Sequence, residues 1–257
     1  MKLRIGIVSV WIAMAFLLMG RSLWALSPND IQRFEKANEA YRSGHFQEAM
    51  EDYRDLSKKY PQTGIFCYNL GNSYFRLGQI GMSIWAYERG LLSDPRNHDI
   101  RSNLKYVRSL LEYRIDDNRN WYLRVSVWFL ERLTTREVKM LLAFCYFLLM
   151  SSWGLALYFW RDAPWRWKRK TLAVLLGLAL LLFIAKYWET RVFRDAIVIT
   201  QQAEIRYGPS ESDQVAFRLG EGLNVSVVDQ REDWSRIVLV NGEGGWVKND
   251  QIVQVMS

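Results

Sequence analysis

The chain has few of the residues on which metal sites and catalytic pairs depend. It contains two cysteines and two histidines among 257 residues. Cys67 lies in a predicted soluble helix and Cys145 in the middle of a long apolar run, so we expect neither a disulfide nor a cysteine-ligated metal. His45 and His98 fall in predicted loops, and we interpret each as an exposed turn residue.

Motifs for catalysis are also missing. The sequence has no G-x-S-x-G motif, no paired metal-ligand spacing, no phosphate-binding loop, and no cysteine or serine with a plausible histidine base. The glycine-rich stretch at 242–245 lies between predicted strands, where a hairpin explains it. We therefore expect no catalytic residue, no metal and no cofactor, and we predict that the protein is not an enzyme.

Positive charge is concentrated in two parts of the chain. The net charge is +7, and residues 1–26 and 119–188 carry +3 and +8, whereas residues 189–257 carry −4. The positive segments are also the apolar ones, so their charge favours anionic lipid headgroups over a DNA or RNA groove. We expect a membrane as partner and no nucleic acid.

Two long apolar runs flank a short basic segment. Residues 140–160 carry no charge, and as a helix they would extend about 31 Å, enough to cross a bilayer. Residues 171–188 form a slightly shorter second run, in which Lys186 can extend to the interface. We predict a two-span transmembrane hairpin over residues 139–188. The alternative is a buried helical hairpin of a soluble domain.

The segment between the two runs predicts the orientation of the hairpin. The loop at 161–170 has five basic residues and one acid, Asp162. Under the positive-inside rule this loop lies in the cytoplasm, so both ends of the chain face outward. The residues that determine this topology are Arg161, Arg166, Lys168, Arg169 and Lys170.

Residues 1–26 have the layout of an export signal. Lys2 and Arg4 precede an apolar stretch, and small residues near Ala25 offer a cleavage site. Leu23 stands where a small residue is favoured, so an uncleaved signal anchor is the alternative to a cleaved signal peptide. Either form exports the chain that comes after it, in agreement with the orientation predicted from the loop.

A helical repeat with a period of 34 residues comes after the signal. The residues repeated at this spacing include Gly44 and Gly78, Tyr53 and Tyr87, and Pro61 and Pro95. Each unit is predicted as a helix, a glycine turn and a second helix that the proline ends. A single helix from 97 to about 113 is predicted to cap the stack.

The second unit carries a longer pattern of small and large residues. Its members are Leu70, Gly71, Tyr74, Ser83, Tyr87, Gly90 and Pro95. With this pattern residues 27–113 resemble the tetratricopeptide repeat, which implies an all-α module that binds proteins in a groove. Asparagine amides can pair with a peptide backbone in both directions. The predicted groove residues are Asn38, Arg42, Asn69, Asn72, Arg76 and Asn103. The alternative is asparagines solvated on a helix surface.

Residues 114–138 connect this module to the first apolar run. Large apolar residues recur there at helical spacing with arginines between them: Trp121, Tyr122, Val125, Trp128 and Phe129. A tryptophan-rich face with arginines, just before a span, is typical of an amphipathic helix in the membrane interface. The alternative is a helix that packs these aromatic residues onto the repeats or the hairpin.

After residue 188 the pattern changes to short β-rich runs. Seven are predicted as strands: 196–200, 203–207, 215–219, 223–229, 234–240, 245–248 and 252–255. Their regular spacing predicts a small all-β barrel over residues 189–257. Asn241 and Gly242 mark the clearest hairpin, because a type I′ turn needs positive φ at both central positions.

Four stretches of this region carry a second resemblance. They lie at 203–210, 218–222, 233–237 and 242–247. In their order and spacing the region resembles the bacterial SH3-type domain, which implies an SH3-like barrel. Tyr207, Trp234 and Trp246 are predicted as its ligand surface for a peptide or a cell-wall component. The alternative places both tryptophans in the barrel core.

The order of the parts carries a third resemblance. A signal, helical repeats that include the stretch 68–74, a two-span hairpin and a final barrel make the chain similar to the BatE family of bacterial aerotolerance (Bat) operons. This resemblance implies von Willebrand A-domain membrane proteins and a MoxR-type ATPase as partners, in a cell-envelope complex linked to stress tolerance.

These expectations combine into one multidomain hypothesis. We predict a non-catalytic adaptor in the bacterial inner membrane that crosses it twice and holds both soluble domains outside the cytoplasm, in the periplasm. Its repeats would bind partner proteins. The alternative is an envelope sensor whose SH3-like domain binds peptidoglycan or cell-wall peptides.

Overall fold

The described part of the chain forms two compact units. The computed structural model describes residues 26–111, 120–159, 163–191 and 194–255. Residues 135–187 form one unit, and the other unit joins residues 26–134 to residues after 187. The export signal predicted at 1–26 lies outside the described residues except for Leu26.

Five helices begin the larger unit. They are α1 Pro28–Arg42, α2 Phe46–Lys59, α3 Gly64–Arg76, α4 Ile80–Ser93 and α5 His98–Ser109. Each helix packs on the next one along the chain, and we call the five the helical stack. The predicted helices are confirmed. The capping helix α5 starts at its predicted place, where the Asn97 side chain accepts from two backbone N–H groups, and it ends at Ser109.

The two helix pairs repeat one turn at the 34-residue spacing. Gly44 and Gly78 have φ values of +84° and +76°, a conformation that L side chains rarely adopt. After each glycine, the next residue donates its N–H to the carbonyl five residues back, at 2.8 and 2.9 Å. These bonds satisfy carbonyls at the end of the first helix of each pair.

Close approach of the helices depends on small residues. A Cβ on Gly71 would lie 2.6 Å from Cε1 of Tyr87, so only glycine lets α3 approach α4 this closely. Ser83 then donates its hydroxyl to the carbonyl of Gly71 at 2.9 Å. The larger buried residues of the stack include Tyr53, Leu70, Tyr74, Ile84, Tyr87, Ile100 and Leu104.

One carboxylate anchors α1 to the end of α2. Oδ2 of Asp30 accepts hydrogen bonds from Lys59 Nζ at 2.7 Å, Tyr60 OH at 2.6 Å and the Ser27 hydroxyl at 2.5 Å. These donors, Lys59 foremost, hold the pKa of the Asp30 carboxyl well below its usual range. The carboxylate is therefore ionised across the neutral range.

Seven antiparallel strands form the end of the chain. They are β1 Arg194–Val198, β2 Gln202–Arg206, β3 Val215–Gly220, β4 Asn224–Arg231, β5 Trp234–Val238, β6 Gly244–Lys248 and β7 Ile252–Gln254, in the order β3-β2-β6-β5-β4-β1-β7. A single apolar cluster includes Leu219 of β3 and Ile252 of β7, so the sheet curls until its two edges share one core. We call residues 194–255 the β module. The seven predicted strands are confirmed.

The predicted hairpin between β5 and β6 is present, but the type I′ turn is wrong. Gly242 has a φ of +91°, whereas Asn241 is not in the positive region. The N–H of Gly242 donates to Leu239 at 2.9 Å, and the N–H of Leu239 donates to Glu243 at 2.7 Å. This pattern is a three-residue loop with a G1 bulge, for which one left-handed glycine suffices.

The helical stack and the β module pack against each other. Nε1 of Trp85 donates to the carbonyl of Gln254 at 2.8 Å, and the N–H of Gly81 donates to Oε1 of Glu221 at 2.7 Å. A Cβ on Gly81 would lie 2.6 Å from the carbonyl oxygen of Val198, so the helix backbone touches the sheet backbone. The two regions that the sequence predicts as separate domains are one packed unit.

Three further helices lie between the stack and the β module in sequence. They are α6 Trp121–Leu130, α7 Thr135–Phe159 and α8 Ala163–Arg191. Among the described residues one helical segment, Lys170–Tyr187, has the length and composition to cross a membrane. The first predicted span, 140–160, ends outside the described residues.

The segment predicted as a cytoplasmic loop is mostly helical. Residues 161 and 162, with Arg161, lie outside the described residues, and α8 begins at Ala163. Pro164 does not prevent this, because proline is tolerated in the first turn of a helix. The other four predicted topology residues, Arg166, Lys168, Arg169 and Lys170, therefore belong to the first turns of α8.

Candidate binding surfaces

The asparagines predicted to line the groove take part in a repeated internal hydrogen bond. Tyr53 donates its hydroxyl to Oδ1 of Asn38 at 2.7 Å, and Tyr87 donates to Oδ1 of Asn72 at 2.6 Å. Burial raises the pKa of Tyr53 and of Tyr87 to about 12, so both phenols remain protonated donors at neutral pH. Asn38 and Asn72 thus join the two helices of their own pair.

The remaining two asparagines lie on α3 and α5. Nδ2 of Asn103 donates to Oδ1 of Asn72 at 2.9 Å, which ties the capping helix to the second pair. Asn69 is half-buried. The structure therefore brings Asn72 and Asn103 together, and it uses the Asn72 carbonyl oxygen for packing.

The two predicted groove arginines are exposed, and each contacts a neighbour. Arg42 forms an ion pair with Glu39 at 2.7 Å. The guanidinium of Arg76 lies 4.2 Å from the ring centre of Phe46, a cation–π distance. Because both contacts are at the surface, an incoming carboxylate can compete for either guanidinium.

Exposed apolar residues of α1, α3 and α5 were not among the predicted groove residues. Ile31 of α1 and Ile65 of α3 are 34 residues apart, and both side chains are exposed. On α5, Tyr106 stands 34 residues after Asn72 and is 57% exposed. The 34-residue period was the available signal. It relates Ile31 to Ile65, and it relates Tyr106 to the predicted groove residue Asn72. Helical spacing places Ile31 on the same side of α1 as Arg42, and Ile65 on the same side of α3 as Arg76. We group these four exposed residues with Tyr106 as the stack face, which combines apolar and cationic groups.

Trp234 and Trp246 lie outside the apolar cluster of the β module. Ile237 and Val247 belong to that cluster, and side chains alternate along a strand, so the indoles lie on the outer face. They are nevertheless 9% and 8% exposed. Nζ of Lys248 lies 5.9 Å from the ring centre of Trp234, and the guanidinium of Arg231 lies 5.2 Å from that of Trp246. The tryptophans are therefore covered from outside.

Cations and tryptophans alternate in two rows across this outer face. Strand register places Trp246 between Arg206 and Arg236, and it places Trp234 between Lys248 and Arg231. Five basic residues of the β module lie on this outer face: Arg206, Arg218, Arg231, Arg236 and Lys248. The face can thus offer guanidinium donors beside aromatic rings.

Residues 200–253 match the bacterial SH3 domain family. The matched stretch contains all three aromatic residues of the predicted ligand surface and runs from β2 into β7. The SH3-like fold predicted for this region is supported. No curated protein matches the chain.

Tyr207 begins the β2–β3 loop of the SH3-like fold. Nη1 of Arg206 donates to the carbonyls of Glu211 and Asp213 at 2.9 and 2.7 Å. Lys248 pairs with Glu211 at 2.5 Å, which lowers the pKa of the Glu211 carboxyl below its usual value. The loop is thus fastened to the basic face, while Tyr207 itself is 73% exposed. The predicted surface consists of one open aromatic residue and two covered ones.

The thiol of Cys67 lies in the buried interior of the helical stack. Burial raises the pKa of the Cys67 thiol to about 11, so the nucleophilic thiolate is scarce at neutral pH. Among the described residues no group of three or more His, Cys, Asp or Glu side chains is placed to hold a metal ion. What these surfaces offer is contact area, charge and hydrogen bonds.

Proposed function

We propose that the protein is a non-catalytic, membrane-anchored adaptor whose helical stack binds a partner protein. The observation that carries the proposal is the repeated helix pair, which presents the stack face of Ile31, Ile65, Tyr106, Arg42 and Arg76. Exposed apolar side chains beside guanidinium groups suit a segment that carries both apolar and acidic residues. These groups add to the asparagines that the sequence hypothesis assigns to peptide binding, namely Asn38, Asn69, Asn72 and Asn103.

Two membrane spans are supported by the way the larger unit is connected. The helical stack precedes α7 and α8 in the chain and the β module comes after them, yet the stack and the β module share hydrogen bonds and a core. Both must therefore lie on the same side of any membrane. If Lys170–Tyr187 crosses the bilayer, a second crossing is required, and α7 is the helix available for it.

The proposed orientation rests on the charge of the residues between the two spans. Arg161 to Lys170 provide five cations, which favours the cytoplasm for this turn and the outside for the packed unit. An inner-membrane location in a bacterium, with von Willebrand A-domain proteins and a MoxR-type ATPase as partners in a Bat-type stress complex, rests on the resemblance to the BatE family. The tetratricopeptide assignment of the stack likewise rests on its repeat pattern.

A reporter fusion tests the topology. An enzyme active only outside the cytoplasm, fused after residue 257, should be active, and the same reporter inserted in the helical stack should be active too. Opposite activities at the two positions would contradict the two-span arrangement. A reporter between Arg161 and Asp162 should be inactive.

Co-purification from native membranes tests the stack face. We expect Ile65→Ser combined with Tyr106→Ser to reduce the captured partner at least about tenfold, because both residues are exposed and anchor residues dominate binding. Leu92→Ser is the matched control, since Leu92 is an exposed residue of α4 outside the stack face. Equal loss in the control and the double variant would contradict the proposal.

A second candidate function belongs to the β module. The alternating cations and tryptophans, with Tyr207 exposed beside them, favour an envelope sensor that binds peptidoglycan or its peptides. Full-length protein in detergent should sediment with purified sacculi, and Tyr207→Ala with Arg236→Gln should weaken sedimentation. Val228→Ser, at an exposed residue of β4, is the control. Absence of sedimentation by the unaltered protein would exclude this function.

A further inference from the structure

Helix α6 presents an apolar face that the structure leaves uncovered. Five large side chains recur at positions i, i+1, i+4, i+7 and i+8 and are 50–71% exposed: Trp121, Tyr122, Val125, Trp128 and Phe129. At 3.6 residues per turn they occupy a continuous arc of about 120°. An arc of this kind on a water-soluble protein is normally covered by a partner or a membrane.

The other side of α6 is less exposed. Val127 and Leu130 are half-buried, and they lie roughly opposite the aromatic arc on the helix. The aromatic side is therefore the more exposed side of the helix. Packing of these residues onto the helical stack, which the sequence left open as an alternative, is not what the structure shows.

Cationic groups flank the aromatic arc. The guanidinium of Arg132 lies 3.9 Å from the ring centre of Trp128, and Arg124 is exposed beside the arc. Arg136 and Lys139 are exposed in the first turns of α7. Tryptophan and tyrosine prefer the headgroup depth of a bilayer, where arginine can bind lipid phosphates.

The distribution of exposed apolar residues identifies the occupant. Of the 25 large hydrophobic residues that are exposed in the described chain, 16 lie between 121 and 187, which is the stretch of α6, α7 and α8. Only residues 131–134 separate α6 from α7. A single environment that covers this whole stretch accounts for the arc without a separate protein partner, and that environment is lipid.

We infer that α6 is a lipid-binding helix that lies in the headgroup region of an anionic bilayer. Its aromatic arc faces the acyl chains, and Arg124 and Arg132 contact lipid phosphates. This inference rests on the proposed membrane anchoring and adds a second, lateral attachment to it. The attachment holds the packed unit close to the bilayer surface.

Depth-dependent fluorescence quenching tests the inference in the full chain. Single cysteines carrying a fluorescent label replace Trp121 or Trp128 in a variant whose two native cysteines are alanine, reconstituted in vesicles of phosphatidylcholine and phosphatidylglycerol. We expect brominated acyl chains to quench both labels at least about threefold more than a label at Tyr106, as for a helix whose apolar face enters the acyl boundary. Tyr106 is the matched control, because it is an equally exposed aromatic residue of the stack.

A label at Leu178 of α8 separates the possible failures. Strong lipid quenching at Leu178 with none at Trp121 and Trp128 would overturn the α6 inference and leave the anchoring intact. Absence of quenching at all three sites would overturn the membrane anchoring itself. Protection of Trp121 and Trp128 from aqueous iodide without lipid quenching would mean that a protein covers the arc, which also overturns the inference.

The charge requirement has its own readout. Arg124→Gln with Arg132→Gln should reduce lipid quenching of the label at Trp121 in vesicles that contain phosphatidylglycerol. For the protein that retains both arginines, omission of phosphatidylglycerol from the vesicles should also reduce this quenching. Arg101→Gln, in the helical stack, should leave the quenching unchanged. Equal quenching of all variants in both lipids would overturn the role of the arginines.

Discussion

The first and second helix pairs have the same turn and the same internal tyrosine–asparagine bond, yet their outer helices meet different surroundings. Glu51 of α2 is exposed to solvent, whereas Trp85, 34 residues later, donates to the carbonyl of Gln254. Gln47 of α2 corresponds to Gly81, whose N–H donates to Glu221. Divergence between copies of a repeat therefore marks the helix that docks the β module.

The first pair has a different means of holding its helices. Arg33 forms ion pairs with Asp52 at 2.6 Å and Asp55 at 2.7 Å, and Lys36 pairs with Glu48 at 2.7 Å. Most of these groups are well exposed, and such pairs contribute little individually. The first pair therefore relies on its own helices, whereas the second pair also depends on the β module.

The largest expected effect on stability comes from replacing Trp85 of α4 with glutamate, the residue at the corresponding position of α2. Trp85→Glu removes a buried indole and its hydrogen bond, and we expect a loss of about 3–5 kcal/mol in the free energy of unfolding, in the range for large buried aromatics. Hydrogen exchange should accelerate in β1 and β7 of the full-length protein. The matched control is Glu51→Ala, with little expected change. Unaltered exchange in β7 of Trp85→Glu would contradict the docking role.

The next effect concerns the approach of paired helices. Gly71→Ala should destabilise the protein by about 1–3 kcal/mol, because the new methyl group overlaps the buried Tyr87 ring. The corresponding residue of the first pair is Ala37, where Ala37→Gly should cost only about 0.5–1 kcal/mol through helix propensity. Thermal unfolding of both variants measures the difference. Adding Tyr87→Leu to Gly71→Ala should recover part of the lost stability, because the ring that the methyl group overlaps is then absent. If no stability is recovered, overlap with the Tyr87 ring is not the cause of the loss.

A smaller effect separates the two tyrosine–asparagine bonds. Tyr53→Phe and Tyr87→Phe should each cost about 0.5–1.5 kcal/mol, the usual worth of one hydrogen bond. Tyr87→Phe should cost less, because Asn72 keeps its bond from Asn103 while Asn38 loses its tyrosine partner. Denaturant unfolding measures both. A larger cost for Tyr87→Phe than for Tyr53→Phe would contradict the compensating bond from Asn103 to Asn72.

The smallest effect is a pH dependence confined to the first pair. Asp30 has glycine, Gly64, as its counterpart in the second pair. Its pKa is lowered in the folded state, so its contribution is fully present above the unfolded value of about 3.9 and is lost as the pH falls through the lower, folded pKa. Asp30→Asn should flatten the acid limb of stability against pH. If Asp30→Asn loses stability at acid pH as the unaltered protein does, other carboxylates cause that loss.

Local features of the fold were predictable from the sequence. Gly44 and Gly78 mark turns because they are glycines before helical patterns, and Pro61 and Pro95 mark ends because proline cannot extend a helix. Short β-rich runs separated by turn residues located the strands. The type I′ turn was wrong because Asn-Gly also suits a G1 bulge, and the helical start of α8 was missed because proline also opens helices.

The binding surfaces were less predictable, for a physical reason. Asn38 and Asn72 have the same amide whether or not a tyrosine donates to it, and only the structure shows the bonds from Tyr53 and Tyr87. The docking of Trp85 depends on a carbonyl 169 residues away. Neither kind of contact produces a local pattern in the sequence, so neither could be predicted without the structure.

The long separation of the docking partners affects how the protein is made. Gly81 and Trp85 lie 140 and 169 residues before their acceptors, and at about 5–20 residues per second synthesis of the intervening chain takes roughly ten to thirty seconds. During that interval the side of α4 that carries Gly81 and Trp85 has no cover from the β module. A chaperone that shields apolar surface would find a substrate in that nascent helix until β7 is synthesised and covers it.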